Sequence, residues 1–563
     1  MTTPVPEPEQ RGGRLPPIAR AMREHVHAQI AGRVDDGPLR WSRRDVLRMG
    51  GVLGAGFALG ACTSGGPEPP RATGRPGETE PRIVVVGAGL AGLTAAFRFS
   101  QSGLSNLRVF EARDRVGGRC WTARGFADGQ TAEHGGEFID SRHVHLLGLV
   151  EELGLEIEDL WEAWVPGSVS PNWIDGELVS STDLREPLDE IAAAVGEEAR
   201  RIGVIAPGRR PSDEAISAGT ATPEAIELDR SSMAEWLDAH VPGVTTSPLG
   251  AYLDASMAGW YGLEMDQLSA CLWMDYFVLP APGADERWHV RGGNDQVPSR
   301  LADALPGGAL ELDRPLEAMR VRGDGAFELR FGGTSAPVNA DIVVLTLPFT
   351  TLRDVDLSEA GLGAERLAAI DGLGMGLDVK LFLQYDRRPS QFDVGDRAWS
   401  GGMNHTAPSF QTWESSAGQT GTAGLITVYA GGRNGASWNA DELHAPAPPA
   451  FAAEHVGMID EVVPGTAPAF NGRAWLDLWT RDPWTRGSYA AFLPGQFTRF
   501  WGALGRAEGR MHVAGEHTST YSQGFLNGGV ESGQRAAIEV LRALGREVPR
   551  SIANLPYSST ASR

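Results

Sequence analysis

The sequence predicts an α/β protein in which a parallel sheet is interleaved with a second, α+β domain. Three observations carry that prediction. Residues 82–97 read as strand, glycine-rich turn and helix, and a second strand at 107–110 ends on an acid, Glu111. Far along the chain, Met511 to Ala514 repeats the strand pattern and leads to a helix running through Ala537. The 563 residues exceed what one core usually spans, so two or more domains are expected.

Composition narrows the function. The chain is 42% hydrophobic and 22% charged, enough apolar surface for a folded core. Its net charge of −22 repels phosphate backbones, which argues against nucleic-acid binding. Three cysteines, Cys62, Cys120 and Cys271, are too few for a disulfide framework or a four-thiolate zinc site, and no metal site is expected. The 50 basic residues include one lysine, Lys380; all the others are arginine.

The first 62 residues read as an export signal. Arg43-Arg44 precede the short apolar run Met49 to Ala61, which is too short to span a bilayer as a permanent helix. The paired arginines resemble a twin-arginine signal. Leu59-Gly60-Ala61-Cys62 resembles a lipobox whose cysteine is acylated. The stretch 63–80 is rich in Ser, Gly and Pro and reads as a tether. The expected location is extracytoplasmic, either anchored at the cell surface through Cys62 or secreted. The partners this implies are the twin-arginine machinery and a membrane touched only by that anchor.

The strand at 82–86 is an almost continuous β-branched run, as a buried parallel strand should be. In Gly87-Ala88-Gly89-Leu90-Ala91-Gly92, Gly87 allows a tight turn and Gly89 lets a pyrophosphate approach the backbone. Gly92 lets helix and strand pack closely, while the helix N-terminus supplies N–H groups. Glu111 stands about 20 residues on, where an acid binds ribose hydroxyls and disfavours a 2′-phosphate. Together these spell a dinucleotide site.

From Glu111 onward the chain resembles the flavin amine oxidase superfamily, which includes monoamine, polyamine and L-amino acid oxidases. The segment Glu111-Ala112-Arg113-Asp114-Arg115-Val116-Gly117-Gly118-Arg119 matches its second FAD motif, with Arg119 expected to neutralise phosphates. Gly135-Gly136-Glu137-Phe138 looks like a flavin-contacting loop. Leu316 matches a position near the adenine. Gly515-Glu516 and the helix opening Gly524-Phe525-Leu526, with Gly529 and Val530, resemble the segment that faces the flavin. The resemblance implies a Rossmann-like FAD-binding domain built from 81–144, 286–349 and 476–545, and a substrate-binding domain from 145–285 and 350–475. A tail, 546–563, completes the chain.

The same resemblance assigns the chemistry. Lys380 matches a lysine that holds a water beside the flavin. As the lone lysine in an apolar run it is expected to be buried, with its removal sparing the fold. Tyr489 and Phe525 match two aromatic walls that steer an amine. Ser488 replaces the cysteine that links flavin covalently in some members, so non-covalent FAD is expected. Phe138 stands where some L-amino acid oxidases keep a carboxylate-gripping arginine, which favours simple amines. Arg142 is a substitute anchor, and Glu137 is open to either a substrate or a flavin role. The expected reaction takes a primary amine to an imine, then to aldehyde and ammonia, with molecular oxygen reduced to hydrogen peroxide. An L-amino acid oxidase giving a 2-oxo acid is the alternative. A desaturase or protoporphyrinogen-oxidase-like enzyme and a non-catalytic flavin-binding lipoprotein stand behind it.

Overall fold

The computed structural model describes residues 80–180, 183–184, 188–206, 211–279 and 283–556. The twin-arginine pair, Cys62 and nearly all of the tether lie outside the described residues, as does the end of the tail.

Strand β1 (Ile83–Val86) is buried at all four positions. The chain turns through Gly87 into α1 (Leu90–Gln101), then returns as β2 (Leu107–Phe110), parallel to β1 and paired from Ile83 with Leu107 to Val86 with Phe110. Strands β3 (Leu310–Glu311), β4 (Ile342–Leu345) and β5 (Met511–Val513) complete a parallel sheet in the order β5–β4–β1–β2–β3. Only the apolar, β-branched character of β1 and β4 suits a position covered on both faces.

The last long helix, α2 (Leu526–Ala543), packs against α1. A Cβ at Gly533 would lie 2.3 Å from the Ala91 carbonyl oxygen, so the two backbones meet where only glycine fits. A four-stranded sheet built on Leu316–Val321 flanks this unit.

The second layer is an eight-stranded sheet. At its centre, Val379–Tyr385 is buried at every position between Phe470–Asp477 and Gly424–Ala430. Asn172–Ile174 and Glu177–Val179, from an earlier part of the chain, close its far edge. Helices Leu188–Arg201 and Met233–His240 pack into one extended apolar core. The strand that carries Lys380 begins at Val379, leaving Asp378 in the segment just before it. No helix of the described residues is long and apolar enough to cross a membrane.

Candidate active site

A cavity of about 2840 Å³ lies between the C-terminal ends of β1, β2 and β4 and the eight-stranded sheet, reaching from Gly89 and Glu111 to Lys380 and Tyr429. Single small-molecule pockets run to roughly 300–1,000 Å³. This volume therefore fits a dinucleotide and a substrate together. Every residue expected at the site lines it except Gly92 and Val530. Gly92 instead supports the turn: a Cβ there would sit 1.9 Å from the Gly87 carbonyl oxygen. Val530 is fully buried in the apolar core shared with α1.

The dinucleotide end is preorganised by backbone. Gly87 has φ +102°, and a side chain there would meet Thr346 Oγ1 at 2.6 Å. Glu111 accepts N–H bonds from Ala88 at 2.7 Å and Arg113 at 2.9 Å. Burial raises its pKa, and those two N–H groups and Arg113 only partly offset the rise. The N-termini of α1 and α2 both open onto the cavity, offering N–H groups to phosphate or flavin oxygens. Glycine cradle, acid, helix ends and volume all suit FAD.

Three of the motif residues also have partners within the protein. Arg119 donates to the Ser488 carbonyl at 2.6 Å and to Glu516 at 3.0 Å. Glu516 also accepts from Ala490 N at 3.2 Å and Gly524 N at 3.0 Å. The pair ties the Ser488–Ala490 segment to the turn before α2, and both residues line the cavity. Arg113, read as a cofactor residue, grips Asp482 with both terminal nitrogens at 2.7 and 2.8 Å.

At the other end stands Lys380, 4% exposed. Its ammonium donates to the carbonyls of Glu133 and Gly135, each at 2.8 Å, and to Glu137 Oε2 at 2.9 Å. Three donors meet three acceptors. Glu137 completes its shell with Trp413 Nε1 at 2.8 Å and Ser415 Oγ at 3.0 Å. Burial alone would raise its pKa, but Lys380 and His289 outweigh that and hold it below the usual carboxylate range. The Glu137 left open between substrate and flavin roles is the partner of the lone lysine.

Aromatic rings enclose the space around this pair. Phe138 lies 5.4 Å from Trp413, and Trp413 lies 5.3 Å from Tyr429, measured between ring centres. Tyr429 is opposite Lys380 in the sheet, and its hydroxyl is 3.2 Å from that of Tyr489. Phe525 packs edge-on to His143 at 4.9 Å, and burial pushes that imidazole down to about 3, so it stays neutral. The Arg142 guanidinium lies 6.0 Å from the Phe525 ring while its Nε is held by Asp140 at 3.0 Å.

Sequence reasoning gave no role to Asp378, Tyr429, Trp413 or the buried chain His134–Asp477–His444–Asp482 that ends on Arg113. In that chain His444 touches Asp477 at 2.8 Å and Asp482 at 3.0 Å. Asp378 carried a visible signal, a second polar residue two before Lys380 in an apolar run. Tyr429 and Trp413 carried none, because sheet pairing alone brings them there.

Residues 90–541 match the family model described as flavin containing amine oxidoreductase. Pseudooxynicotine dehydrogenase of a Pseudomonas species is 25% identical over 511 residues, covering 89% of this chain and 95% of that protein. Flavin-containing amine oxidase B of Sus scrofa is 26% identical over 489 residues, covering 82% of this chain and 86% of the relative. Among solved structures, cyclohexylamine oxidase from Brevibacterium oxydans aligns with a TM-score of 0.69 at 23% identity, over 83% of this chain and all of that one. Putrescine oxidase bound to putrescine aligns with a TM-score of 0.68 at 21% identity, over 82% of this chain and 99% of that one. These structures share the fold.

Proposed function

Because the chain belongs to the flavin-containing amine oxidoreductases, an FAD-dependent enzyme family, we propose that it oxidises a primary amine to an imine, which hydrolyses to an aldehyde and ammonia, with oxygen reduced to hydrogen peroxide. FAD supplies the acceptor for the hydride equivalent that leaves the carbon beside nitrogen. Gly87, Gly89, Glu111 and the N-termini of α1 and α2 would hold it, without a covalent link, since Ser488 offers no thiol.

The observation that carries this reading is the aromatic enclosure at the Lys380 end. Phe138, Trp413, Tyr429, Tyr489 and Phe525 line one cavity with a lysine whose charge is already matched by Glu137. Ring faces orient an amine nitrogen while excluding water. Lys380 fixes the Glu133–Glu137 loop against that enclosure. Holding a water beside the flavin would require it to release one of its three donors. Amine turnover with peroxide release, measured on the purified yellow protein with a panel of amines and amino acids, tests the reading. Peroxide from neither class would sink it.

A second reading, an L-amino acid oxidase, is favoured by Arg142, whose side chain borders the cavity beside Phe525. It requires amino acids to outperform the matching amines, and Arg142→Gln to erase that preference.

We also propose export by the twin-arginine route with Cys62 as the lipid anchor, on the sequence of residues 42–62. Arg43→Lys with Arg44→Lys should retain the enzyme in the cytoplasm. A Cys62→Ala variant still found with membranes would refute the anchor.

A further inference from the structure

An amine gives up a hydride equivalent readily only with its nitrogen lone pair free, yet an aliphatic amine with a pKa near that of lysine, about 10.4, arrives protonated at neutral pH. The enclosure must therefore take a proton. The charged groups already described are committed: Lys380 spends three donors, and Glu137 accepts from Lys380, Trp413 and Ser415.

One carboxyl in the same cavity wall stands outside that pair. Asp378 is 1% exposed and sits in the segment that leads into the Lys380 strand. Its Oδ2 accepts from Ser488 Oγ at 2.5 Å, and among the described residues its Oδ1 has no hydrogen-bond partner. Two glycines make its niche: a Cβ at Gly262 or at Gly431 would come within 2.5 Å of one or other carboxyl oxygen. The Tyr489 hydroxyl, at a wall of the enclosure, lies 3.2 Å from that of Tyr429 and donates to the Gly259 carbonyl at 3.4 Å, and both phenols favour the charged form of the carboxyl.

We propose that Asp378 receives the proton shed by the substrate ammonium, passed to it through the hydroxyl of Tyr489. The inference rests on the amine-oxidising reading above. The N–H bond of the ammonium breaks, the Tyr489 oxygen takes that proton, and its own proton goes to the carboxylate. The amine is left neutral and Asp378 becomes the neutral acid, with no electron moved. Tyr489 is the group that meets substrate, and Asp378 is a positioned proton acceptor behind it.

Burial pushes the Asp378 carboxyl up to about 7, against the Ser488, Tyr489 and Tyr429 hydroxyls, which favour the carboxylate. A value there suits proton exchange at neutral pH. Other titratable groups on the packed elements are the Lys380–Glu137 pair, Glu264 and Arg433 beyond Gly432, and Glu286, whose charge acts on Tyr489. Below about 7 Asp378 already carries a proton and cannot take another, so flavin reduction slows as pH falls.

The test is the pH profile of anaerobic flavin reduction by the FAD-loaded enzyme, using two amines of different basicity to separate the enzyme's limb from the substrate's. In the wild type, a limb near pH 7 should be common to both amines. Asp378→Asn should abolish that limb and slow reduction at about pH 8 by about 10²-fold or more, with FAD content unchanged. Ser488→Ala removes a donor that favours the carboxylate, so it should move the limb to higher pH, a shift that mere loosening of the fold would not produce. An unchanged limb in a folded Asp378→Asn, or in Ser488→Ala if the first variant does not fold, overturns the proposal. Absence of reduction by any amine in the wild type would instead overturn the amine-oxidising reading itself.

Discussion

Replacing Lys380 by methionine should destabilise the protein as well as impair it. Both members of the Lys380–Glu137 pair are at most 5% exposed, so solvent screens the interaction little. Methionine would leave the Glu137 carboxylate with only Trp413 and Ser415 as donors, and the carbonyls of Glu133 and Gly135 without the ammonium they accept from. Removing one partner of a buried pair costs about 3–5 kcal/mol. With an unfolding entropy of about 2.1 cal/mol/K per residue, a chain of 563 residues loses roughly 2.5–4 °C in Tm. The lone lysine therefore cannot be removed without structural cost, contrary to what its sequence context suggests. Glu137→Gln in the Lys380→Met background removes the stranded charge. The double variant should then be more stable than the two single changes predict by about 2 kcal/mol. Differential scanning calorimetry of the four proteins at equal FAD content closes the cycle. If the two changes add within about 0.5 kcal/mol, the pair does not stabilise the fold and the reasoning fails. Stopped-flow flavin absorbance separates the second role. A double variant that regains stability while its half-reactions remain about 10²–10⁴-fold slow assigns Lys380 a part in the chemistry. Lys380→Arg should rescue neither, since a planar fork cannot fill three acceptors gathered around a compact ammonium.

The surrounding contacts have consequences of their own. Burial lowers and the flanking Asp477 and Asp482 raise the pKa of His444, with a net rise, so the stability it contributes is complete below about 6.5 and lost as pH climbs through the raised value. Tm should thus fall as pH rises above about 6.5, and His444→Gln should flatten that fall; an equally steep fall in the variant would remove His444 as its cause. Gly92→Ala drives a Cβ to within 1.9 Å of the Gly87 carbonyl oxygen, so α1 must shift from β1. About 1–3 kcal/mol of stability should go with it, and FAD affinity should weaken at least tenfold by fluorescence titration; unchanged affinity would mean the turn tolerates a side chain. Acid precipitation should release the yellow colour into the supernatant, because Ser488 is hydrogen-bonded to Asp378 and carries no thiol. Flavin held in the pellet would contradict this.

What the sequence discloses and what it conceals divide along chain separation. The unit β1–Gly87–α1–β2–Glu111 is legible because every contact that shapes it is local, from the β-branched run to the close approach at Gly92. Lys380 stands out through composition alone. Its partner does not: Glu137 is 243 residues away, and only the docking of the strand Val379–Tyr385 onto the Gly135–Gly136 loop makes the two meet. The same holds for Arg119 and Glu516, separated by 397 residues, whose mutual hydrogen bond no local pattern specifies. Tyr429 faces Lys380 through antiparallel register, which no local pattern specifies. Asp378 is visible as a polar residue but not as a buried one, because its niche is made by Gly262 and Gly431 from separate segments.

The most direct test of the central claim is anaerobic mixing of the FAD-loaded enzyme with a saturating primary amine, followed by admission of oxygen. The flavin absorbance should bleach in the first step. It then returns in the second with one hydrogen peroxide released per flavin and one aldehyde formed per amine consumed. A flavin that stays oxidised with every amine and amino acid offered would contradict that claim.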